Sequence, residues 1–286
     1  MAGIGSDRFV IITGASTGIG RACALHLDKL GFQVIAGVRK KSDGEDLKGF
    51  ASSSLRWVIL DIADDQSRQH ALEELSPLLE NQGLFGLVNN AGIVISGPLE
   101  FIPIPQLRMQ FEVNVIGQIA VTQDYLKFIR KSPGRIINIS SINGRISAPF
   151  LGPYSASKFA LTSLTDALRM ELSQWNIPVV LVEPGRIATP IWVKSENLAD
   201  RLVEKLPDVA KNYYGATIST MKSYVRKAEK TSIPSQEVAK IVAHALTVSK
   251  PHTKYLVGKD AKALAIANKL VPDSLMDRFI LRGLKG

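Results

Sequence analysis

Seven short apolar runs, separated by helical stripes, constrain this chain more than any other feature of its sequence. The runs are Phe9–Thr13, Gln33–Val38, Leu55–Leu60, Gly86–Asn89, Arg135–Ser140, Pro178–Val182 and Lys254–Val257. They are rich in Val and Ile, as strands covered on both faces should be. Between them apolar residues return at helical spacing. Ile19, Cys23, Leu27 and Leu30 form one stripe, and Leu161, Leu164, Leu168 and Leu172 a second. Val238, Ile241, Val242, Ala245 and Leu246 form a third. Strands alternating with helices pair in parallel through right-handed crossovers. The expected fold is therefore α/β: a doubly wound parallel sheet of about seven strands with helices on both faces. With 286 residues, 45% of them apolar, the chain can bury one large core of this kind.

Two segments break the rhythm. Residues 190–233 are expected to hold no strand, and carry Trp192, Tyr213, Tyr214, Met221 and Tyr224 among Lys and Glu. A long insertion at the carboxyl end of a strand serves as a lid or specificity loop more often than as plain surface helices. The tail, 261–286, carries an apolar stripe of Leu275, Met276, Phe279, Ile280 and Leu284 beside Arg278, Arg282 and Lys285. Docking on the body is the default expectation; a second subunit or peripheral contact with a membrane are the alternatives. The organisation expected is one catalytic domain over 1–260, with 190–233 as its substrate-binding lid, and a C-terminal amphipathic extension over 261–286.

Charge and cysteine usage narrow the class. A net charge of +9 suits acidic partners such as phosphates, carboxylates, an acidic carrier or an anionic membrane. The basic residues are scattered, with no basic helix interleaved with aromatics, so no nucleic acid is expected. Cys23 is the only cysteine, which rules out an intrachain disulfide and fits a reducing, cytoplasmic setting. Phe9–Ile12 is too short for a signal peptide, and no run reaches the ~18 apolar residues of a membrane span. His26, His70, His244 and His252 lie outside every motif, so no metal site is expected. Trp57 and Trp175 are expected in the core or on a helix surface.

The first strand leads into Thr13-Gly14-Ala15-Ser16-Thr17-Gly18-Ile19-Gly20, which opens the first helix. Glycines permit a tight turn and close approach of a pyrophosphate, and the helix N-terminus offers free N–H groups and a positive dipole end. The spacing is G-x3-G-x-G rather than G-x-G-x-x-G, but the strand–turn–helix setting is that of a Rossmann-type dinucleotide site. At the end of the second strand an NAD site tends to place a carboxylate for the ribose 2′-OH. Here Val38 is followed by Arg39, Lys40 and Lys41. A guanidinium pairs with a 2′-phosphate, so NADP(H) is favoured, with NAD(H) the other possibility. Asp61 ends the third strand, where its carboxylate can accept from an adenine amino group or cap a turn. Asn89-Asn90-Ala91-Gly92 ends the fourth, with small residues that let a cofactor lie against backbone.

Tyr154 and Lys158 are four residues apart and share a helix face. A free tyrosine, with a pKa of about 10, is a poor base near neutrality. A neighbouring ammonium is expected to favour the phenolate and lower that value. Ser141, at the end of the fifth strand, has a hydroxyl that can bond a substrate oxygen.

In order and approximate spacing, Thr13–Gly20, Asn89–Gly92, Asn114, Ser140–Ser141, Tyr154–Lys158 and Pro184-Gly185 resemble the short-chain dehydrogenase/reductase family, in its single-domain branch. The resemblance runs from residue 8 to about 260. It implies that Tyr154 exchanges a proton with the substrate oxygen, that Lys158 also bonds the nicotinamide ribose, and that Ser141, rather than Ser140, positions the carbonyl. It implies a water relay to Lys158 held by Asn114. It further implies cofactor contacts from Gly14, Ser16, Thr17, Gly18, Ile19, Gly20, Asp61, Ile62, Asn90, Ala91 and Gly92, with Pro184, Gly185, Ile187 and Thr189 at the nicotinamide end. A homodimer or homotetramer is the expected assembly.

The activity expected is hydride transfer between NADP(H) and a carbonyl/alcohol pair, in the reducing direction. Val182-Glu183-Pro184-Gly185 and the extended C-terminus look like members acting on steroids, retinoids or similar lipophilic compounds. A ketoacyl-thioester reductase is the alternative, its basic surface suiting an acidic carrier. A non-catalytic NADP(H) sensor is disfavoured by the intact Ser141, Tyr154 and Lys158, and an epimerase by the glycine spacing.

Overall fold

The computed structural model describes residues 8–285 apart from 193, 194, 196, 197, 199, 201–203, 205 and 206, and without the side chains of 224–230 and 283–285. Tyr224, Leu284 and Lys285 of the expected stripes therefore lie outside the described side chains.

The chain begins β1 (Phe9–Ile12), α1 (Gly18–Lys29), β2 (Gln33–Val38), α2 (Lys41–Lys48), β3 (Arg56–Ile59) and α3 (Asp65–Gln82). It continues β4 (Gly86–Asn89), α4 (Ile104–Phe111), a π turn (Glu112–Ile116), α5 (Gly117–Lys131), β5 (Arg135–Ile139), α6 (Gly152–Glu171) and β6 (Val179–Pro184). After β7 (Ile187–Ala188) come α7 (Asp208–Lys230), β8 (Ile233–Pro234), α8 (Ser235–Thr247), β9 (Lys254–Val257), α9 (Lys259–Leu270) and α10 (Asp273–Lys285). Seven strands form one sheet in the order β3-β2-β1-β4-β5-β6-β9, every pair parallel. The direction of growth reverses between β1 and β4. In a doubly wound sheet the crevice beyond that switch point is where ligands bind.

Side-chain alternation along β1 sorts the core into two layers. Val10 and Ile12 pack with Cys23 and Leu27 of α1 and Val238, Val242 and Leu246 of α8. Phe9 and Ile11 point the other way, onto Leu75 and Leu79 of α3 and Val121, Tyr125 and Phe128 of α5. Each such fully buried side chain contributes about 1.5–3 kcal/mol relative to exposure. The expected stripes hold, except that Leu164 is 39% exposed. Trp57 packs partly buried against the first layer, and Trp175 sits on the surface with the Arg130 guanidinium over its ring at 4.6 Å.

Two expectations need correction. The segment 190–233 is not strand-free: Ile233 pairs with Ile187 in the two-residue β7–β8 ladder. Two residues carry no periodicity, and the second of β8 is Pro234, which cannot donate to a ladder. Of the tail stripe, Met276 is buried, but Leu275 is 50% and Phe279 64% exposed. The tail still docks on the body, through Met276 and through Ala261 and Ala265 of α9, the two alanines buried against Ile142. Among the described residues no helix is long and apolar enough to cross a membrane.

Candidate active site

The turn after β1 is held from β4. Thr13 Oγ1 accepts from the Asn90 and Ala91 N–H groups at 2.9 and 3.0 Å. Asn90 Nδ2 donates to the carbonyls of Thr13 and Gly14 at 2.9 and 3.1 Å. Gly14 has φ +64, and a Cβ there would stand 2.8 Å from Ala91 Cα. A Cβ on Gly20 would stand 2.3 Å from the Gly14 carbonyl oxygen, so this glycine lets α1 close down on the turn.

A cleft of about 260 Å³ opens beyond these strand ends. Gly14, Ser16, Thr17, Gly18 and Ile19 line it from the turn; Arg39, Asp61, Ile62, Asn90, Ala91 and Gly92 from β2, β3 and β4. Ser141, Tyr154 and Lys158 line its other end, with Pro184, Gly185, Ile187 and Thr189 following β6. Gly20 and Asn114 are the two expected site residues that do not reach it. Arg39 is exposed at the mouth, with no hydrogen bond or ion pair among the described residues. Asp61 serves as a turn residue through Oδ1, which accepts from Ala63 N at 3.1 Å, and its side chain still faces the cleft.

Tyr154 stands in the first turn of α6, after Pro153, and is buried, as are Lys158 and Ser141. Lys158 Nζ donates to the Ile139 carbonyl at 2.9 Å and lies 5.9 Å from the Tyr154 ring centre. Burial pushes the lysine down to about 8. The expected lowering of Tyr154 is not found: burial raises it, and the neighbouring Ser141 hydroxyl pulls only part of the way back. Desolvation outweighs the Ser141 hydrogen bond here. Ser141 Oγ accepts from Asn143 N at 3.1 Å, which fixes its turn. Ser140 Oγ lies 3.5 Å from the Lys158 carbonyl oxygen and 3.4 Å from Thr162 Oγ1, hydrogen-bonded to the body of α6.

Asn114 sits in the π turn, and its side chain is spent on other work. Oδ1 accepts from Ile93 N at 2.8 Å, and Nδ2 donates to Ile93 O at 3.0 Å and to Ser157 Oγ at 3.1 Å. Ser157 Oγ in turn donates to the Tyr154 carbonyl at 2.7 Å. Two residues that the sequence did not single out act alongside it. Gln110 accepts from Ile95 N at 2.7 Å and donates to Ile93 O at 2.9 Å, and Gln118 donates to Ala91 O at 2.8 Å. These amides, four residues apart, satisfy the peptide groups of an extended segment that has no strand partner of its own.

Part of the cleft lining is apolar: Ile93, Val94, Trp192 and Leu198, with Ser195 among them. Ser195 Oγ lies 3.3 Å from Ser96 Oγ. Helix α7 meets the same side of the molecule through Tyr214, whose hydroxyl donates to Glu100 at 2.8 Å. Its ring makes edge contacts with Phe101 and Phe150 at 6.0 and 6.1 Å. Among the described residues no group of three or more His, Cys, Asp or Glu could hold a metal ion.

A glycine turn at the switch point of a doubly wound sheet, sharing one cleft with a buried Tyr/Lys pair, defines a dinucleotide-dependent oxidoreductase. The family model for short chain dehydrogenase matches residues 8–199. Retinol dehydrogenase 5 of Homo sapiens is 38% identical over 282 residues, covering 96% of this chain and 88% of its own. The NADPH-dependent 3-dehydrocapnine reductase of Ornithobacterium rhinotracheale is 34% identical, covering 97% and 98%. A solved short chain dehydrogenase from Burkholderia cenocepacia, in complex with NADP, superposes with a TM-score of 0.73 at 25% identity, covering 96% and 98%. The chain belongs to the short-chain dehydrogenase family and is an NAD(P)-dependent enzyme.

Proposed function

We propose that this enzyme interconverts a carbonyl and an alcohol on a lipophilic substrate, using NADP(H), with Tyr154 as proton donor and acceptor. The observation that carries the proposal is the meeting of Ser141, Tyr154 and Lys158 at one end of the cleft that has Arg39 at its mouth. The turn fits a pyrophosphate, since its glycines leave open the space that side chains would fill. Arg39 suits a 2′-phosphate, and the end of β2 has no carboxylate to repel it. When bound, the cofactor supplies or accepts the hydride.

In this proposal Ser141 holds the substrate oxygen by a hydrogen bond. Burial keeps the Tyr154 phenol protonated, the form that donates a proton to the substrate oxygen in reduction. Lys158, with its pKa near 8, is still mainly an ammonium at neutral pH and supports that transfer. Asn114 has committed its side chain, so a water relay to Lys158 would run through its main-chain carbonyl. Ile93, Val94, Trp192 and Leu198 make the substrate end apolar, in keeping with a retinoid-like or steroid-like compound. The similarity to a retinol dehydrogenase points the same way. The segment 190–233, held at Tyr214, is the proposed lid.

Tyr154→Phe is expected to abolish turnover of lipophilic ketones while NADPH still binds in a fluorescence titration. Substantial residual turnover would remove Tyr154 from its role. Arg39→Asp is expected to shift preference toward NAD(H), and an unchanged ratio of the two affinities would remove Arg39.

A further inference from the structure

We infer that Arg145 and Glu183 form a brace that fixes the spacing between the loop carrying Ser141 and the loop carrying Pro184 and Gly185, and so are positioning residues for the reaction. Arg145 Nε and Nη2 donate to Glu183 Oε1 and Oε2, both at 2.7 Å. A two-point guanidinium–carboxylate contact fixes orientation as well as distance. Glu183 is 0% exposed, in a strand whose other members are apolar apart from the terminal proline. An apolar pair would serve the sheet as well, because the cost of desolvating such ions offsets their attraction. It would lack the fixed geometry between two loops.

The chain places each partner next to chemistry. Arg145 closes the turn that Ser141 opens, and Asn143 within that turn donates to Ser141 Oγ. Glu183 immediately precedes Pro184 and Gly185, which line the cleft. The turn has little slack: a Cβ on Gly144 would stand 2.8 Å from Thr162 Oγ1 and 2.9 Å from Ser140 Oγ. Helix α9 supports both ends of the bridge. Asn268 donates to the Arg145 carbonyl at 3.2 Å, and Asp260 accepts from Arg186 N at 2.8 Å. Neither Arg145 nor Glu183 lines the cleft, so their influence passes through Ser141 on one side and the turn after β6 on the other. The inference rests on the roles proposed above for Ser141 and Tyr154.

The test compares the full-length enzyme with the double variant Arg145→Met/Glu183→Met, with Arg145→Lys, and with Tyr154→Phe. The double variant removes both charges and leaves no orphan, so its Tm is expected to stay near the parent's. Its kcat is expected to fall roughly 10- to 100-fold, the scale of misplacing a reacting group by about 1 Å. NADPH affinity should change much less, because the glycine turn, Asn90–Gly92 and Arg39 lie outside the two loops that the brace joins. The limb of the pH profile that reports Tyr154 should move to higher pH as Ser141 leaves it. Arg145→Lys keeps the charge with a single contact and should fall between. A double variant with native Tm, kcat and pH profile overturns the brace. If the double variant does not fold, an Arg145→Lys enzyme with native kcat and pH profile overturns it. An active Tyr154→Phe defeats the site itself, whereas an inactive one beside a fully active double variant defeats the brace alone.

Discussion

Replacing Gln110 with methionine tests whether side-chain amides hold the wall of the cleft. Gln110 is fully buried, accepts from Ile95 N at 2.7 Å and donates to Ile93 O at 2.9 Å. Methionine fills nearly the same volume and adapts to its surroundings, so the packing change is small. The loss is in hydrogen bonding. Ile95 is 0% exposed, so its N–H finds no water, and an unpaired buried donor costs about 1–3 kcal/mol. Ile93 O keeps the Asn114 donor at 3.0 Å, so its loss adds little. The buried amide no longer needs desolvation, which returns up to about 1 kcal/mol. The expected net destabilisation is about 1–2 kcal/mol. Urea unfolding followed by tryptophan fluorescence should show a lower midpoint at an unchanged m-value. Gln106, one turn earlier, has a buried Oε1 without a partner among the described residues, so Gln106→Met should stay within about 0.5 kcal/mol of the parent. A Gln110→Met enzyme as stable as the parent would refute the role given to these amides. Because Ile93 and Val94 line the cleft, KM for substrate should rise along with the loss of stability.

Four further outcomes follow from the site and its surroundings. Lys158 titrates near 8 rather than 10.5, so its ammonium is lost as pH rises through about 8. The kcat/KM for reduction should therefore fall above that pH, and a profile flat to pH 9.5 counts against Lys158. Stability runs the other way: the native lysine gives up its proton before the unfolded one does. Its burial penalty is thus present below pH 8 and relieved between 8 and 10.5, which urea unfolding of parent and Lys158→Met at two pH values checks. Cys23 is fully buried, and burial pushes its thiol up to about 12. Mass spectrometry should find it unalkylated in the native enzyme and labelled once urea unfolds the chain; rapid native labelling would contradict the packing of α1. Tyr214→Phe removes the bond to Glu100 and is expected to raise substrate KM several-fold with stability within about 1 kcal/mol, and an unchanged KM would argue against a lid.

The sheet was legible because its strands are short, apolar and covered on both faces. Gln33–Val38, Gly86–Asn89 and Lys254–Val257 stand in the structure with the boundaries read from the sequence. At the end of β6 a buried charge hid the strand's extent. The run at 178 reads as ending at Val182, before the charged Glu183. The strand in fact runs to Pro184. Glu183 pairs with Leu256 of β9, and its buried carboxylate is met by Arg145, 38 positions away, which no local pattern reports. Gln110 and Gln118 fail for the same reason. At helical spacing they look like a wet face, yet both are buried against the backbone of residues 91–95. Tyr154, Lys158 and the glycine turn could be found because their chemistry demands given residue types at given spacings. The residues that hold them could not, because a buried polar group differs from an exposed one only in having a partner, and here the partners are distant in the chain. These departures from local pattern cluster around the cleft, where a fold gives up some stability to hold reacting groups in place. The sharpest discriminator is therefore the Arg145→Met/Glu183→Met enzyme: if this ion pair between a turn and the sheet served only the fold, turnover would follow Tm, and the two are expected to separate.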